Sequence, residues 1–112
     1  MSITVQSLMT TWGNAFKSGD PTEISKILDE NFRHINLHQP ERGFDTLQES
    51  LNWIKTKPGI VSDIKTIYED DKRLIGSFKW KDSDKNPDTV MFHAVISNDK
   101  LLRFEIVRGS DL

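Results

Sequence analysis

The stretch from Thr89 to Val107 constrains the fold of this 112-residue chain more than any other. It reads TVMFHAVIS, then Asn98-Asp99, then KLLRFEIV. Two runs rich in β-branched and aromatic residues, joined by two polar residues that tolerate positive φ, specify a long antiparallel hairpin. An isolated hairpin is barely stable in water. The chain must therefore supply further strands beside it and a cover for its apolar face.

Alternation divides the hairpin into two sets. Val90, Phe92, Ala94 and Ile96, with Leu102, Phe104 and Ile106, are wholly apolar and belong against the cover. Met91, His93, Val95, Leu101, Arg103, Glu105 and Val107 form the second set, which is mixed. A sheet with one solvated face alternates more cleanly than this. An outer apolar patch of Met91, Val95, Leu101 and Val107, with Ile75, is of the kind that marks an interaction site. The expected partner is a second copy, in a homodimer through the outer sheet face, with His93 at that interface rather than in a pocket.

Upstream, the periodicity is helical. Val5, Leu8, Met9, Trp12 and Phe16 form one apolar stripe over residues 3–17, ended by Ser18-Gly19. Asp20-Pro21-Thr22-Glu23 opens a short second helix, with aspartate at the cap and proline at the first turn. Residues 31–38, NFRHINLH, read as a short extended segment. A turn at Gln39–Gly43 precedes a third helix, capped by Asp45, with Leu47, Leu51 and Ile54 inward. After Gly59 the period changes to two. Strands are expected at 61–69, 73–81, 89–97 and 100–108, and Gly76 is expected to mark a bulge or bend. The pattern is α+β, three N-terminal helices gathered on one face of a four-strand antiparallel meander.

Composition removes several function classes. Lys plus Arg total 15 and Asp plus Glu 17, with no basic stripe, which argues against nucleic acid and against a polybasic membrane anchor. No apolar run approaches the roughly 20 residues of a membrane span. The start lacks a signal-peptide pattern. With no cysteine, disulfides and thiolate metal sites are impossible, and a cytoplasmic location is expected. No glycine-rich phosphate loop, nucleophile elbow or HExxH helix occurs, so no cofactor is expected.

The order of these elements, and above all WGNAFKSGDPTEISKIL, resembles the nuclear transport factor 2-like superfamily, in particular its SnoaL-like and ketosteroid-isomerase-like members. The resemblance covers residues 1–112 as a single domain. It implies a cone-shaped, curved antiparallel sheet with the three helices packed on its concave face around an apolar pocket. Relatives include isomerases, cyclases, dehydratases and domains that only bind. The ketosteroid isomerases use a carboxylate base, with a tyrosine and a protonated aspartate as oxyanion donors. Placing AFKSGD on the equivalent phrase puts Trp12 at the tyrosine, Asn36 at or near the base and Phe92 at the aspartate. Asparagine cannot take the proton and phenylalanine cannot donate one, which argues against that isomerase chemistry.

Within such a cone, Trp12, Phe16, Phe78, Trp80, Phe92, Phe104 and Ile106 are the candidate ligand-binding residues. Trp53 is assigned to packing. If the segment at 31–38 is extended, His34, Asn36 and His38 share a face at the pocket mouth. His38 or His34 is then the candidate catalytic base, with Asn36 as a hydrogen-bond donor. Each of the three can equally be a solvated or satisfied rim residue. Two histidines four apart lack a third ligand, so no metal site is expected. The loop Asp82–Asp88 has oxygen ligands at calcium spacing, but proline and histidine stand where glycine and glutamate belong, so it reads as a hairpin turn. The leading expectation is binding of an apolar small molecule. The alternatives are an isomerase, cyclase or lyase acting on a carbonyl compound through a histidine base, and a dimerisation or interaction module with a filled cone.

Overall fold

The computed structural model describes residues 3–56, 58–82 and 86–109. Helix α1 (Val5–Ser18) starts at a reciprocal cap. Thr4 Oγ1 accepts the Ser7 N–H at 3.0 Å while Ser7 Oγ accepts the Thr4 N–H at 2.9 Å. It stops at Gly19, whose φ of 73° lets its N–H reach back to Ala15 O. Helix α2 (Thr22–Ser25) is one turn long. Asp20 Oδ1 accepts the Thr22 N–H at 3.0 Å, so the aspartate tethers the turn, with Pro21 one place earlier than expected at the cap position. Helix α3 (Leu47–Thr56) is capped by Thr46, not Asp45: Thr46 Oγ1 accepts the Glu49 N–H, and Asp45 turns away to pair with Arg33 at 3.0 Å.

The sheet has five strands, β1 (Leu28–Asn36), β2 (Gly59–Glu69), β3 (Arg73–Asp82), β4 (Asp88–Ser97) and β5 (Lys100–Gly109), in spatial order β1-β5-β4-β3-β2. This corrects the four-strand, wholly antiparallel expectation. The extended segment begins earlier, at Leu28, and joins the sheet edge parallel to β5, making the sheet mixed. The expected α+β architecture of three helices on a curved, open sheet stands. The hairpin turn at Asn98-Asp99 has φ of 54° and 62°, the double left-handed geometry whose twist suits flanking strands.

One bulge alters the faces of β5. Val95 pairs with Arg103 and Ile96 with Leu101, so Leu102 is the extra residue. Leu101, expected on the outer face, is therefore fully buried and donates its N–H to Ile27 O at 2.7 Å. Leu102, expected inward, is half-buried. Leu101 drops out of the expected interface, leaving Met91, His93, Val95 and Val107 there.

The strong bending lies in β2, whose pairing with β3 shifts twice and where Asp63 adopts a φ of 52°. The bulge expected at Gly76 is thus on its partner strand. Gly76 serves close approach instead: a β-carbon there would lie 2.7 Å from Lys65 O and 2.9 Å from Val5 Cγ1. Helix α1 packs on β2 and α3 on β1, and the core fills the space between them and the inward residues of β3, β4 and β5. No helix among the described residues is long and apolar enough to cross a membrane. Of the calcium-like loop, Ser83, Asp84 and Lys85 lie outside the described residues.

Candidate functional site

The inward side chains of the strands are large and aromatic, and they fill the narrow end of the cone. Trp12 stacks on Phe104 with ring centroids 4.6 Å apart, and Phe16 meets both Trp53 and Trp80 at 4.7 Å. The space left among them is a cavity of about 30 Å³. That holds little more than a water molecule, whose share of liquid volume is about 30 Å³. Trp12, Phe16, Phe78, Trp80, Phe104 and Ile106 line this cavity. Phe92 does not; it packs between Phe78 and Phe104 in the solid core.

The wide end is different. A cleft of about 950 Å³ opens between the end of β1, α3 and the ends of β3 to β5. His34, Asn36 and His38 all line it, so the face expected from alternation is brought together at the mouth. Their environments differ sharply. Asn36 is buried, and its Oδ1 accepts the N–H groups of His38 at 3.1 Å and Gln39 at 2.8 Å. It shapes the turn that leaves β1. His38 is exposed on the rim.

His34 forms the floor. Its backbone is clamped on both sides, by β5 through its pairing with Phe104 and by Phe44, with which it exchanges two backbone hydrogen bonds of 2.9 and 2.7 Å. Gly43 permits this clamp, since a β-carbon there would sit 2.6 Å from His34 O. The imidazole is edge-on to four rings, Trp12, Phe44, Trp53 and Phe104, at centroid distances of 5.4–6.4 Å. Burial in this aromatic box, and next the positive charge of Arg108, push its pKa down to about 4. His34 is neutral at physiological pH. A base that weak accepts protons poorly from a carbon acid, so the geometry suits hydrogen bonding better than general-base work.

Arg108, Phe44 and Trp53 are among the cleft residues that escaped the sequence. Arg108 donates from Nε and Nη2 to Asp88 Oδ2 at 3.1 and 2.8 Å, and both line the cleft. The period-two continuation of Phe104 and Ile106 pointed Arg108 inward, so a signal was present. Phe44 carried none, because its place depends on a long-range bridge. Trp53, assigned to packing, lines both the cavity and the cleft. Among the described residues no three His, Cys, Asp or Glu side chains cluster as a metal site would need.

Comparison with protein-family models and with curated protein sequences yields no match. Solved structures do match. The chain is similar to a nuclear transport factor 2-like protein of unknown function from Cytophaga hutchinsonii, with a TM-score of 0.77 and 12% identity over 97% of this chain and 93% of that one. It is similar to a ketosteroid isomerase-like protein from Kribbella flavida, with a TM-score of 0.73 and 11% identity over 96% and 79%. A polyketide cyclase-like protein from Sinorhizobium meliloti gives a TM-score of 0.69 and 12% identity over 88% and 92%. At such identities the likeness is one of architecture: the chain has the nuclear transport factor 2-like fold, shared with SnoaL-like, ketosteroid isomerase-like and polyketide cyclase-like proteins.

Proposed function

We propose that the protein binds a small, flat molecule that carries polar groups in the mouth of its cone rather than in the narrow end. The observation that carries this is the cleft of about 950 Å³. Its size falls within the roughly 300–1,000 Å³ of small-molecule sites, and the interior cavity is an order of magnitude too small. The rings of Phe44, Trp53 and Trp80 offer flat walls. The rest of the lining is mostly polar or charged, with His34, Asn36, Glu49, Asn52 and the Arg108–Asp88 pair among it, so a ligand must match polar groups as well as rings. Fold neighbours named as a ketosteroid isomerase-like and a polyketide cyclase-like protein are consistent with a small-molecule site. A catalytic role for a histidine base has less support, because His34 is held neutral with a depressed pKa and His38 stands on the solvated rim.

A second proposal concerns the outer sheet face. Met91 is 39% exposed there, beside half-buried Val95 and Val107, which favours a homodimer through this face.

The binding proposal is tested by titrating the protein with flat bicyclic aromatic ketones while following indole and imidazole NMR signals. Saturable shifts at Trp53, Trp80 and His34 are expected. Saturable shifts confined to the outer sheet face, or none at millimolar ligand, would overturn it.

A further inference from the structure

The charges of the cleft do not balance. Among the described residues that line it, Glu41, Glu49, Asp82 and Asp88 carry carboxyl groups, and only Arg42 and Arg108 carry guanidiniums. Glu41, Arg42 and Glu49 are exposed on the rim, where solvent screens them. The half-buried charges are Asp82, Asp88 and Arg108. Arg108 is committed to Asp88, to which it donates from both Nε and Nη2. Asp82 makes no ion pair among the described residues. The side-chain hydrogen bond it accepts comes from a neutral group, the Trp80 indole N–H, at 2.8 Å to Oδ1.

This carboxylate is fixed beside aromatic surface. Trp80 stands two residues before Asp82 on β3, so both side chains leave the same face of the sheet, and Asp88 pairs with Trp80 from the next strand. From Trp80 the rings continue to Trp53, at a centroid distance of 6.0 Å, and from Trp53 to Phe44 at 5.1 Å and to His34 at 5.4 Å. Trp80 is itself buried, so the aromatic surface left to a ligand belongs to half-buried Trp53 and Phe44. At the far end, His34 is only 5% exposed. Its Nδ1 is sealed without a partner, whereas Nε2 makes no hydrogen bond among the described residues and is not sealed. Because His34 lines the cleft, Nε2 is the nitrogen a ligand there can reach. Burial, and next the charge of Arg108, hold this imidazole neutral, so a second cation is disfavoured at the His34 end and favoured at the Asp82 end.

We propose that the cleft selects a flat organic cation: its ammonium group pairs with Asp82, its body lies against Trp53 and Phe44, and a neutral polar group at its other end meets His34. This rests on the cleft-binding proposal above and adds the charge of the ligand to it. An ammonium donates charge-assisted hydrogen bonds to a carboxylate. Its positive charge is also attracted to ring faces. A carboxylate ligand would instead meet Asp82 and Asp88 as like charges.

Three probes of one shape and different charge test this: 2-naphthylmethylammonium, 2-naphthylmethanol and 2-naphthoate, titrated into the full chain near neutral pH and followed by calorimetry and by the indole NMR signals. The ammonium is expected to bind about tenfold more tightly than the alcohol, and the carboxylate most weakly. Equal affinities for ammonium and alcohol, or a tighter carboxylate, overturn the charge selection and leave cleft binding standing. Asp82→Asn keeps an acceptor for the Trp80 N–H and removes the charge. It is expected to bring the ammonium and alcohol affinities within about twofold of one another. A retained tenfold preference overturns Asp82 as the anchor. Should that variant not fold, the wild-type Trp80 Nε1–H decides, because it is bonded to Asp82. Its signal is expected to move further on saturation with the ammonium than with the alcohol; saturation by the ammonium that leaves it in place overturns the proposal. Failure of all three probes to bind at millimolar concentration removes the cleft-binding proposal and this one with it.

Discussion

The indole of Trp80 lies against the bare Cα of Gly59, so closely that a β-carbon at Gly59 would overlap Cη2 and Cζ2 of its six-membered ring. Val61 pairs with Trp80 and Gly59 with Asp82 across the β2–β3 ladder, and the Trp80 N–H reaches Asp82 Oδ1 at 2.8 Å. The tryptophan is therefore held at both ends where the packed interior meets the cleft. Gly59→Ala should destabilise the fold by about 1–3 kcal/mol through overpacking. Urea unfolding measures it. Trp80→Leu in the same chain should recover part of the loss, because the two changes share one contact and will not add. A Gly59→Ala variant within about 0.5 kcal/mol of wild type would show that the contact is looser than the geometry states.

Stability should fall on mild acidification because of His34. Its folded pKa of about 4 lies below the ordinary 6.5, so between those values the unfolded chain binds the extra proton. The contribution is full above pH 6.5 and is lost as pH falls toward 4, up to about 3 kcal/mol at roughly 1.4 kcal/mol per pKa unit. The carboxyls of Asp20 and Asp70 are held below their usual range, by hydrogen bonds from Thr22 and from Tyr68 with the Lys72 and Arg73 amides, and therefore titrate beneath this window. His34→Phe should flatten the dependence between pH 4 and 6.5. Urea midpoints across that range, for both proteins, give the comparison; parallel curves would contradict the burial-driven shift.

Asn36 and His38 should separate cleanly. Asn36 Oδ1 holds two backbone N–H groups of the turn after β1, and Asn36→Ala leaves both without their acceptor. The cost should be about 1–3 kcal/mol. Proteolytic nicking within residues 38–43 should rise with it. His38→Ala, at an exposed rim position, should stay within about 0.5 kcal/mol of wild type. Comparable losses in the two variants would remove the structural role assigned to Asn36.

The legible parts of this fold were those written in local periodicity. The stripe of Val5 to Phe16, the turn at Asn98-Asp99 and the inward residues Val90, Phe92, Ala94, Ile96, Phe104 and Ile106 depend on neighbours in sequence, and they appear as expected. What escaped is non-local. β1 is a strand because β5 offers it an edge, a fact no residue of NFRHINLH encodes. The Leu102 bulge, which carries Leu101 inward, is fixed by the fit of β5 beneath Ile27. At the site, alternation found the face shared by His34 and Asn36 but not their environments. The neutral state of His34 arises from rings at positions 12, 44, 53 and 104, spread over most of the chain.

The outer sheet face supplies the last prediction. Across three strands a chain of side chains runs from Arg73 to His93 Nε2 at 3.3 Å, from His93 Nδ1 to Glu105 at 2.8 Å and from Glu105 to Arg103 at 2.8 Å. These groups satisfy one another within the subunit, so covering them removes fewer bonds to water than covering free charges would. Met91 lies beside Ser77 and Val107 in the cross-strand register and is left without such a partner. If a second copy covers this face, Met91→Glu places a bare carboxylate against its own symmetry mate, which is costly in a desolvated interface. Val95→Glu is the milder change, because Val95 sits in register between Arg73 and Arg103 and they can pair with the new charge. Sedimentation should give a dimer for wild type, a monomer for Met91→Glu, and an intermediate shift for Val95→Glu. The monomeric variant should keep its urea midpoint once protein concentration is matched, since an exposed surface change costs a single subunit little. A monomeric wild type, or a dimer that survives Met91→Glu, would rule this face out as the contact between copies.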